Sequence, residues 1–243
     1  VSRGMIQSFL RLAPFRALSF DLDDTLYNNK PIIAAAETDL LQWLAQRFPA
    51  TTQYCQDDWR QLKISILAAQ PLLVHDTSAT RRAVLHRGLK TLGYNDVIAT
   101  NGADAGLDYF YQRRSNFRVS TAVLTLLTQL SQRWPLVGIT NGNVNEQAIG
   151  LGDVLSFVLH PGNGVRMKPF ADMFINAAER LALSPAQLVH IGDHPLTDVA
   201  GARRAGCQAI WLNPGFDQTV AKPAGPLLPQ LQLSELAQLK QLL

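Results

Sequence analysis

Two rhythms of apolar and polar residues alternate along the chain. The first is a short apolar run bounded by polar residues, at 16–21 (RALSFD), 135–142 (PLVGITNG), 157–160 (FVLH), 187–193 (QLVHIGD) and 207–213 (CQAIWLN). Such runs predict strands buried on both faces of a parallel sheet, with 207–213 as the last of them. The second rhythm is helical, and it predicts helices over 31–48, 57–70, 77–93, 103–117, 120–134, 145–152, 170–183 and 197–206. Punctuation agrees with these limits: Pro31 suits a first helical turn, Thr77 or Ser78 and Ser120 suit N-caps, and Gly93 and Gly206 suit stops.

The order of the two rhythms carries more than their number. One strand comes first, four helical stretches follow, and strand and helix then alternate to the end. This predicts a doubly wound, Rossmann-like α/β core with a parallel sheet, interrupted after its first strand by an all-α helical insert. The expected division is 5–28 and 118–243 for the core and 29–117 for the insert, with the Pro- and Gly-rich stretch 213–229 as a surface loop. Residues 1–4 precede the first methionine, Met5, and are read as a remnant outside the fold.

Composition narrows the function. A chain of 243 residues, 47% hydrophobic and 17% charged, buries a substantial core. The formal charge is +3, without any run of five like charges. The pairs Arg81-Arg82, Arg113-Arg114 and Arg203-Arg204 lack interleaved aromatics, so they read as solvated helix faces and no nucleic-acid partner is expected. Cys55 and Cys207 form neither a CxxC nor a Cys/His metal spacing, which predicts two reduced thiols. Without an apolar stretch of roughly 20 residues or a signal-peptide pattern, the expectation is a cytoplasmic protein with no membrane partner.

In an open parallel sheet, ligands bind beyond the C-terminal strand ends. Polar residues gather there in four places: Asp21 and Asp23, Thr140 and Asn141, Lys168, and Asp193 with Asp198 five positions on. Carboxylates crowded in a low-dielectric cleft need a compensating cation. Mg2+ suits them, being hard and oxygen-loving and able to share carboxylates with water and a phosphate. Lys168, the Thr140 hydroxyl and the backbone around Asn141-Gly142 would then contact a phosphoryl group.

DLDDT (21–25), ITN (139–141), MKP (167–169) and GDHPLTD (192–198), in this order and at strand ends, resemble the four-motif signature of the haloacid dehalogenase superfamily. The helical insert resembles that superfamily's helical cap. The resemblance implies phosphoryl transfer, with Asp21 as nucleophile forming an aspartyl-phosphate and Asp23 as general acid and base. It implies Mg2+ on Asp21, the backbone carbonyl of Asp23 and Asp193, with Asp198 acting through water or by orienting Lys168. Family members that attack carbon usually lack the second aspartate, so Asp23 argues for a phosphatase. Asp24 is left a structural role in the turn.

Within the family, ALSFDLDDTLYNN, WPLVGITNGN, GLGDVLSFVL and KPFADMF resemble the bacterial phosphatases acting on 5-amino-6-(5-phospho-D-ribitylamino)uracil and FMN. The partner implied is a small phosphorylated metabolite. Sugar-phosphate and nucleotide phosphatases share the same core motifs and stay open as alternatives, as do a phosphomutase and a silent phosphate- or partner-binding protein. Specificity is expected in the cap and the loop 27–30, with Asn28, His75 and Arg81 as candidate contacts. Against them, a lone His75 in a polar loop reads more readily as a surface histidine than as a ligand, His190 reads as a partly buried strand residue, and Tyr109, Phe110 and Tyr111 read as cap core rather than as a stack for a flavin ring. His194 departs from the Asp, Ser or Asn familiar after Asp193, and its role is open; zinc is not implied.

Overall fold

The apolar runs pair into one sheet because each is too short and too apolar to satisfy its backbone alone. The computed structural model describes residues 6–216 and 225–243. Among these, β1 (Gln7–Ser8), β2 (Ala17–Phe20), β3 (Leu136–Ile139), β4 (Phe157–Leu159), β5 (Leu188–Gly192), β6 (Gln208–Leu212) and β7 (Leu231–Leu233) lie in the order β1-β7-β6-β5-β2-β3-β4. All neighbours are parallel except β1, which runs antiparallel to β7. β2 is central, and the chain leaves it first toward β3 and β4, then crosses to β5 on its other side. That reversal opens a crevice at the C-terminal ends of β2, β3 and β5.

Each central strand feeds two cores, because successive side chains point to opposite faces. Leu18, Phe20, Val189 and Ile191 pack with Leu126, Leu127 and Leu130 of α5 (Thr121–Ser131) and with Leu236 and Leu239 near the C-terminus. Ala17, Val137, Ile139 and Leu188 pack on the other face against Met173, Phe174 and Ala177 of α6 (Asp172–Arg180) and Ala202 of α7 (Gly201–Arg204).

Between β2 and β3 come α1 (Asn29–Arg47), α2 (Gln56–Ala69), α3 (Thr77–Thr91) and α4 (Asp96–Arg114). They surround a cluster of their own, made of Ala36, Leu40, Leu44, Leu85, Ala103 and Phe110. Phe110 is therefore core, and Tyr109 stacks on Trp43 at 5.5 Å. No helix among the described residues is long and apolar enough to cross a membrane.

The structure departs from the sequence pattern in several places. β7 follows the strand expected to be last, and β1 joins it; Gln7–Ser8 is polar and Gln232 interrupts Leu231–Leu233, so neither shows as an apolar run. Residues 145–152 form turns instead of a helix, closed by Ile149 N to Asn145 O and Leu151 N to Glu146 O, with Gly150 at φ 88° turning the chain away. The cap of α3 is Asp76, whose carboxylate accepts from the Ser78 and Ala79 N–H groups, in place of Thr77 or Ser78. Residues 195–200 are π-helical before α7 begins. Of the expected loop 213–229, residues 217–224 lie outside the described residues.

Two buried groups in the sheet region yield measurable consequences. Cys55 is exposed at the start of α2, whereas Cys207 is buried and its thiol is pushed up to about 12 by that burial. A thiol reagent at neutral pH should modify one cysteine in the native protein and both after denaturation; rapid native labelling of Cys207 would contradict its placement. His190 is 1% exposed, with its Nδ1 2.9 Å from Ser19 Oγ and Phe174 edge-on at 5.0 Å. Burial pulls its imidazole down to about 4 from an ordinary 6.5. The folded protein thus binds fewer protons between those values, so this stabilisation is complete above pH 6.5 and is lost as pH falls toward 4. It amounts to on the order of 3 kcal/mol. Thermal midpoints followed across pH 4–6.5 should fall more steeply for the unaltered chain than for His190→Gln; equal slopes would remove His190 from this role.

Candidate active site

Three strand ends converge on a single lysine. Asp21 directly follows β2, where its N–H donates to Ile191 O of β5 at 2.8 Å. Lys168 reaches the same point from the loop between β4 and α6. Its Nζ lies 2.7 Å from Asp21 Oδ1, 2.7 Å from Asp198 Oδ1 and 2.7 Å from Ile139 O at the end of β3. An ammonium has three donors, and all three are engaged. Asn141 fixes the loop that carries it: its Oδ1 accepts from Lys168 N–H at 2.8 Å and its Nδ2 donates to Lys168 O at 3.0 Å.

Burial sets the charges apart. It raises the Asp21 carboxyl well above the usual carboxylate range, and Asp198 and Asp23 push the same way against the pull of Lys168. Burial would also raise Asp198, but Lys168 and the hydrogen bond with His190 outweigh it and hold Asp198 well below the ordinary range. Burial lowers Lys168, yet Asp198 and Asp21 prevail and raise it, keeping the ammonium charged. Asp198 further accepts from His194 N–H at 2.9 Å. Asp21, Asp193 and Asp198 each bring a carboxylate oxygen within 4.8 Å of the other two. Such an all-oxygen set suits a hard divalent cation, which would relieve the repulsion that Lys168 alone leaves.

Asp23 stands apart from this cluster. Tyr27 OH donates to its Oδ1 at 2.6 Å, and Arg114 Nη2 lies 2.9 Å from Oδ1 and 2.7 Å from Oδ2. Burial, reinforced by Asp23, raises the Tyr27 phenol far above its ordinary value, so it stays a donor. The turn between these residues is closed by Asp24, at φ 58°, whose Oδ1 accepts from Asn29 N–H at 2.8 Å.

Asp23, Asn29, Arg114, Asn141 and Gly142 line one end of a cleft of about 760 Å³ that runs beneath the four helices. Its walls there are largely apolar, including Leu44, Trp59, Leu67 and Val84, with Glu37, Arg81 and Lys63 among them. Arg81 lies over the Phe110 ring at 3.5 Å and pairs with Glu37 at 3.3 Å.

Other residues singled out in the sequence fall elsewhere. Asn28 is the exposed N-cap of α1, and its neighbour Asn29 lines the cleft. His75 packs edge-on against Phe170 at 5.1 Å, joining the helical insert to the core. The His194 ring accepts from Leu196 and Thr197 N–H groups, so it caps the following helical turn. Thr140 Oγ1 accepts from Gly142 N–H at 3.0 Å. The Asn141 side chain is taken up by the Lys168 backbone.

Arg114 overturns the expectation of a solvated arginine pair. Arg113 does reach the surface and binds Asp39, but Arg114 is buried. A signal existed: Gly106, Phe110 and Arg114 lie four apart on the buried stripe of α4, and Arg113 does not. Tyr27 carried no such signal, because its partner Asp23 is reached only through the turn at Asp24.

Comparison with known proteins agrees with this geometry. A family model described as haloacid dehalogenase-like hydrolase matches residues 15–206. The chain is 38% identical over 232 residues to the 5-amino-6-(5-phospho-D-ribitylamino)uracil phosphatase YigB of Escherichia coli K12, covering 96% of this chain and 98% of that one. It is 26% identical over 212 residues to the phosphoglycolate phosphatase of Pectobacterium atrosepticum, covering 85% and 83%. Among solved structures, the 2-haloacid dehalogenase of Pseudomonas syringae pv. tomato superposes with a TM-score of 0.87 at 34% identity, covering 93% of this chain and 97% of that one. With the strand-end aspartates and the buried lysine, the match places this chain in the haloacid dehalogenase-like hydrolase family, as an enzyme of its phosphatase type.

Proposed function

We propose that the protein is a Mg2+-dependent phosphomonoesterase that hydrolyses a small phosphorylated metabolite through an aspartyl-phosphate on Asp21. The observation that carries this reading is the pair of aspartates at the mouth of the cleft: Asp21 among the strand ends, and Asp23 two residues on, lining the cleft itself. A carboxylate beside the phosphorus and a second beside the leaving oxygen are what two-step phosphoryl transfer requires.

In the first step an Asp21 oxygen attacks phosphorus and the bond to the ester oxygen breaks, while Asp23 gives that oxygen its proton. In the second, water attacks the phosphorus and loses a proton to Asp23, and the bond to Asp21 breaks. The net change is one water consumed, with one alcohol and one inorganic phosphate released. Thr25, whose hydroxyl donates to Asp21 Oδ2 at 3.3 Å, and Lys168 orient the nucleophile. The Thr140 hydroxyl, which accepts from the Gly142 N–H, and the Asn141 N–H take the phosphate oxygens. Asp21, Asp193 and the carbonyl of Asp23 would hold Mg2+, with Asp198 behind them on Lys168; when bound, the ion favours ionised Asp21 and offsets phosphate charge.

Residues 29–117 act as the cap that receives the leaving group. We assign 5-amino-6-(5-phospho-D-ribitylamino)uracil as preferred substrate on the 38% identity to YigB, and FMN beside it because it carries the same ribityl phosphate; the apolar cleft suits either ring system better than a two-carbon acid. A carbon–halogen reading draws on the name of the Pseudomonas syringae structure, and Asp23 stands against it.

Phosphate release from both flavin-pathway compounds, sugar phosphates, nucleoside monophosphates and phosphoglycolate tests the assignment, beside halide release from 2-chloropropionate. The two flavin-pathway compounds should give the highest kcat/KM; preference for another ester moves the substrate, and halide release removes the phosphatase reading. Asp21→Asn should lower kcat by about 10⁴-fold or more with folding intact. Chelation should abolish turnover and added Mg2+ restore it, whereas full activity after exhaustive chelation would exclude the metal.

A further inference from the structure

Neither phosphoryl-transfer step uses Arg114, although its side chain is 2% exposed and its guanidinium joins separate parts of the chain. Nη2 donates to both carboxylate oxygens of Asp23, Nη1 to Asn29 Oδ1 at 2.8 Å and Nε to Asn143 Oδ1 at 2.9 Å. Asn29 opens α1, at the first crossing from core to helical insert, and Arg114 closes α4, at the second. Asn143 follows β3, and Asp23 follows β2. A single planar group therefore ties both crossings to the proposed acid.

The two Asp23 oxygens are held differently. Oδ1 accepts from Tyr27 as well as Arg114, whereas Oδ2 takes only Arg114 among the described residues and faces Gly142. A Cβ at Gly142 would stand 2.5 Å from Oδ2 and 2.6 Å from Arg114 Nη2, so glycine alone lets the loop after β3 approach this pair. A carboxylate gripped at both oxygens does not rotate, and with Oδ1 shared between two donors, Oδ2 is the oxygen able to carry a proton toward the phosphate side.

We propose that Arg114 is the positioning residue of the general acid: it sets the plane of Asp23 so that Oδ2 meets the leaving oxygen, and it does so only while both crossings of the helical insert are engaged. The inference rests on Asp23 being that acid. Burying an arginine costs desolvation, which four hydrogen bonds offset here, and a fork of fixed geometry fills this role where a lysine's point charge does not.

Two esters separate positioning from mere support. The alkoxide leaving group of FMN needs a proton as the bond breaks, and the p-nitrophenolate of p-nitrophenyl phosphate does not. With Mg2+ present, the losses are read in kcat/KM, which reports the first step and is blind to the water step both esters share: Arg114→Ala should lower it by roughly 10²-fold on FMN and by less than about fivefold on p-nitrophenyl phosphate. Added guanidinium ion should restore FMN turnover to Arg114→Ala, and Arg114→Lys should show the same split in smaller measure. Asp23→Asn is the reference and should show the larger split. Equal losses on both esters in the Arg114 variants, with Asp23→Asn still separating them, would overturn the positioning role and leave the phosphomonoesterase mechanism standing. If Asp23→Asn treats both esters alike, the acid assignment falls and this inference with it; no turnover of either ester by the unaltered enzyme removes both. Should Arg114→Ala fail to melt cooperatively, Arg114→Lys, which keeps the charge, decides the matter.

Discussion

A lysine ammonium buried among two aspartates and a strand-end carbonyl is the constraint on which the site depends. Removing an ammonium and its carboxylate partners from water costs several kcal/mol per ion, recovered only where every donor finds an acceptor at good geometry. Lys168 meets that condition with three contacts of 2.7 Å. Each contact belongs to a different segment: Asp21 after β2, Ile139 at the end of β3 and Asp198 in the π-helical turn after β5. The strand order β5-β2-β3 is what brings these three to one point. His190 and Asn141 complete the arrangement, one behind Asp198 and the other clamping the lysine backbone.

The second buried cation works across a different boundary. Lys168 is a compact charge that joins strand ends within the core, whereas Arg114 is a planar fork that joins the core to the helices above it. Between them lie the two aspartates of the first loop, one facing each cation. The cleft under α1 to α4 opens beside Asp23, so its apolar walls and the group proposed to protonate a leaving oxygen adjoin. His75 against Phe170 gives the insert a further contact with the core, far along the chain from either crossing.

Much of the fold was legible because burial imposes a period. The four longer strands and the helices of the insert each place enough residues in register for the apolar pattern to show, and β4, at three residues, shows as an unbroken apolar run. β1 escaped because Gln7–Ser8 is polar and β7 because Gln232 breaks its apolar run, and 145–152 misled because its apolar spacing lacks the length a helix needs. Asp76 displaced Thr77 and Ser78 as the cap of α3, since any of three adjacent polar residues suits that position and only the backbone path selects one.

The sequence by itself determined the chemistry available to this protein: which aspartates, which lysine and which threonine end the strands, in an order that only a parallel sheet can bring together. Those residues are bound to short, local patterns, and local patterns survive in one dimension. What the tertiary structure decided are the partnerships. That Lys168 is shared by Asp21 and Asp198, that Asp23 lies in the grip of Arg114, and that Asn29 rather than Asn28 faces the cleft all depend on contacts between residues tens of positions or more apart, or on one turn at Asp24. Arg113 and Arg114 are identical letters side by side, and the 100° between neighbours on a helix sends one to the surface and the other into the site.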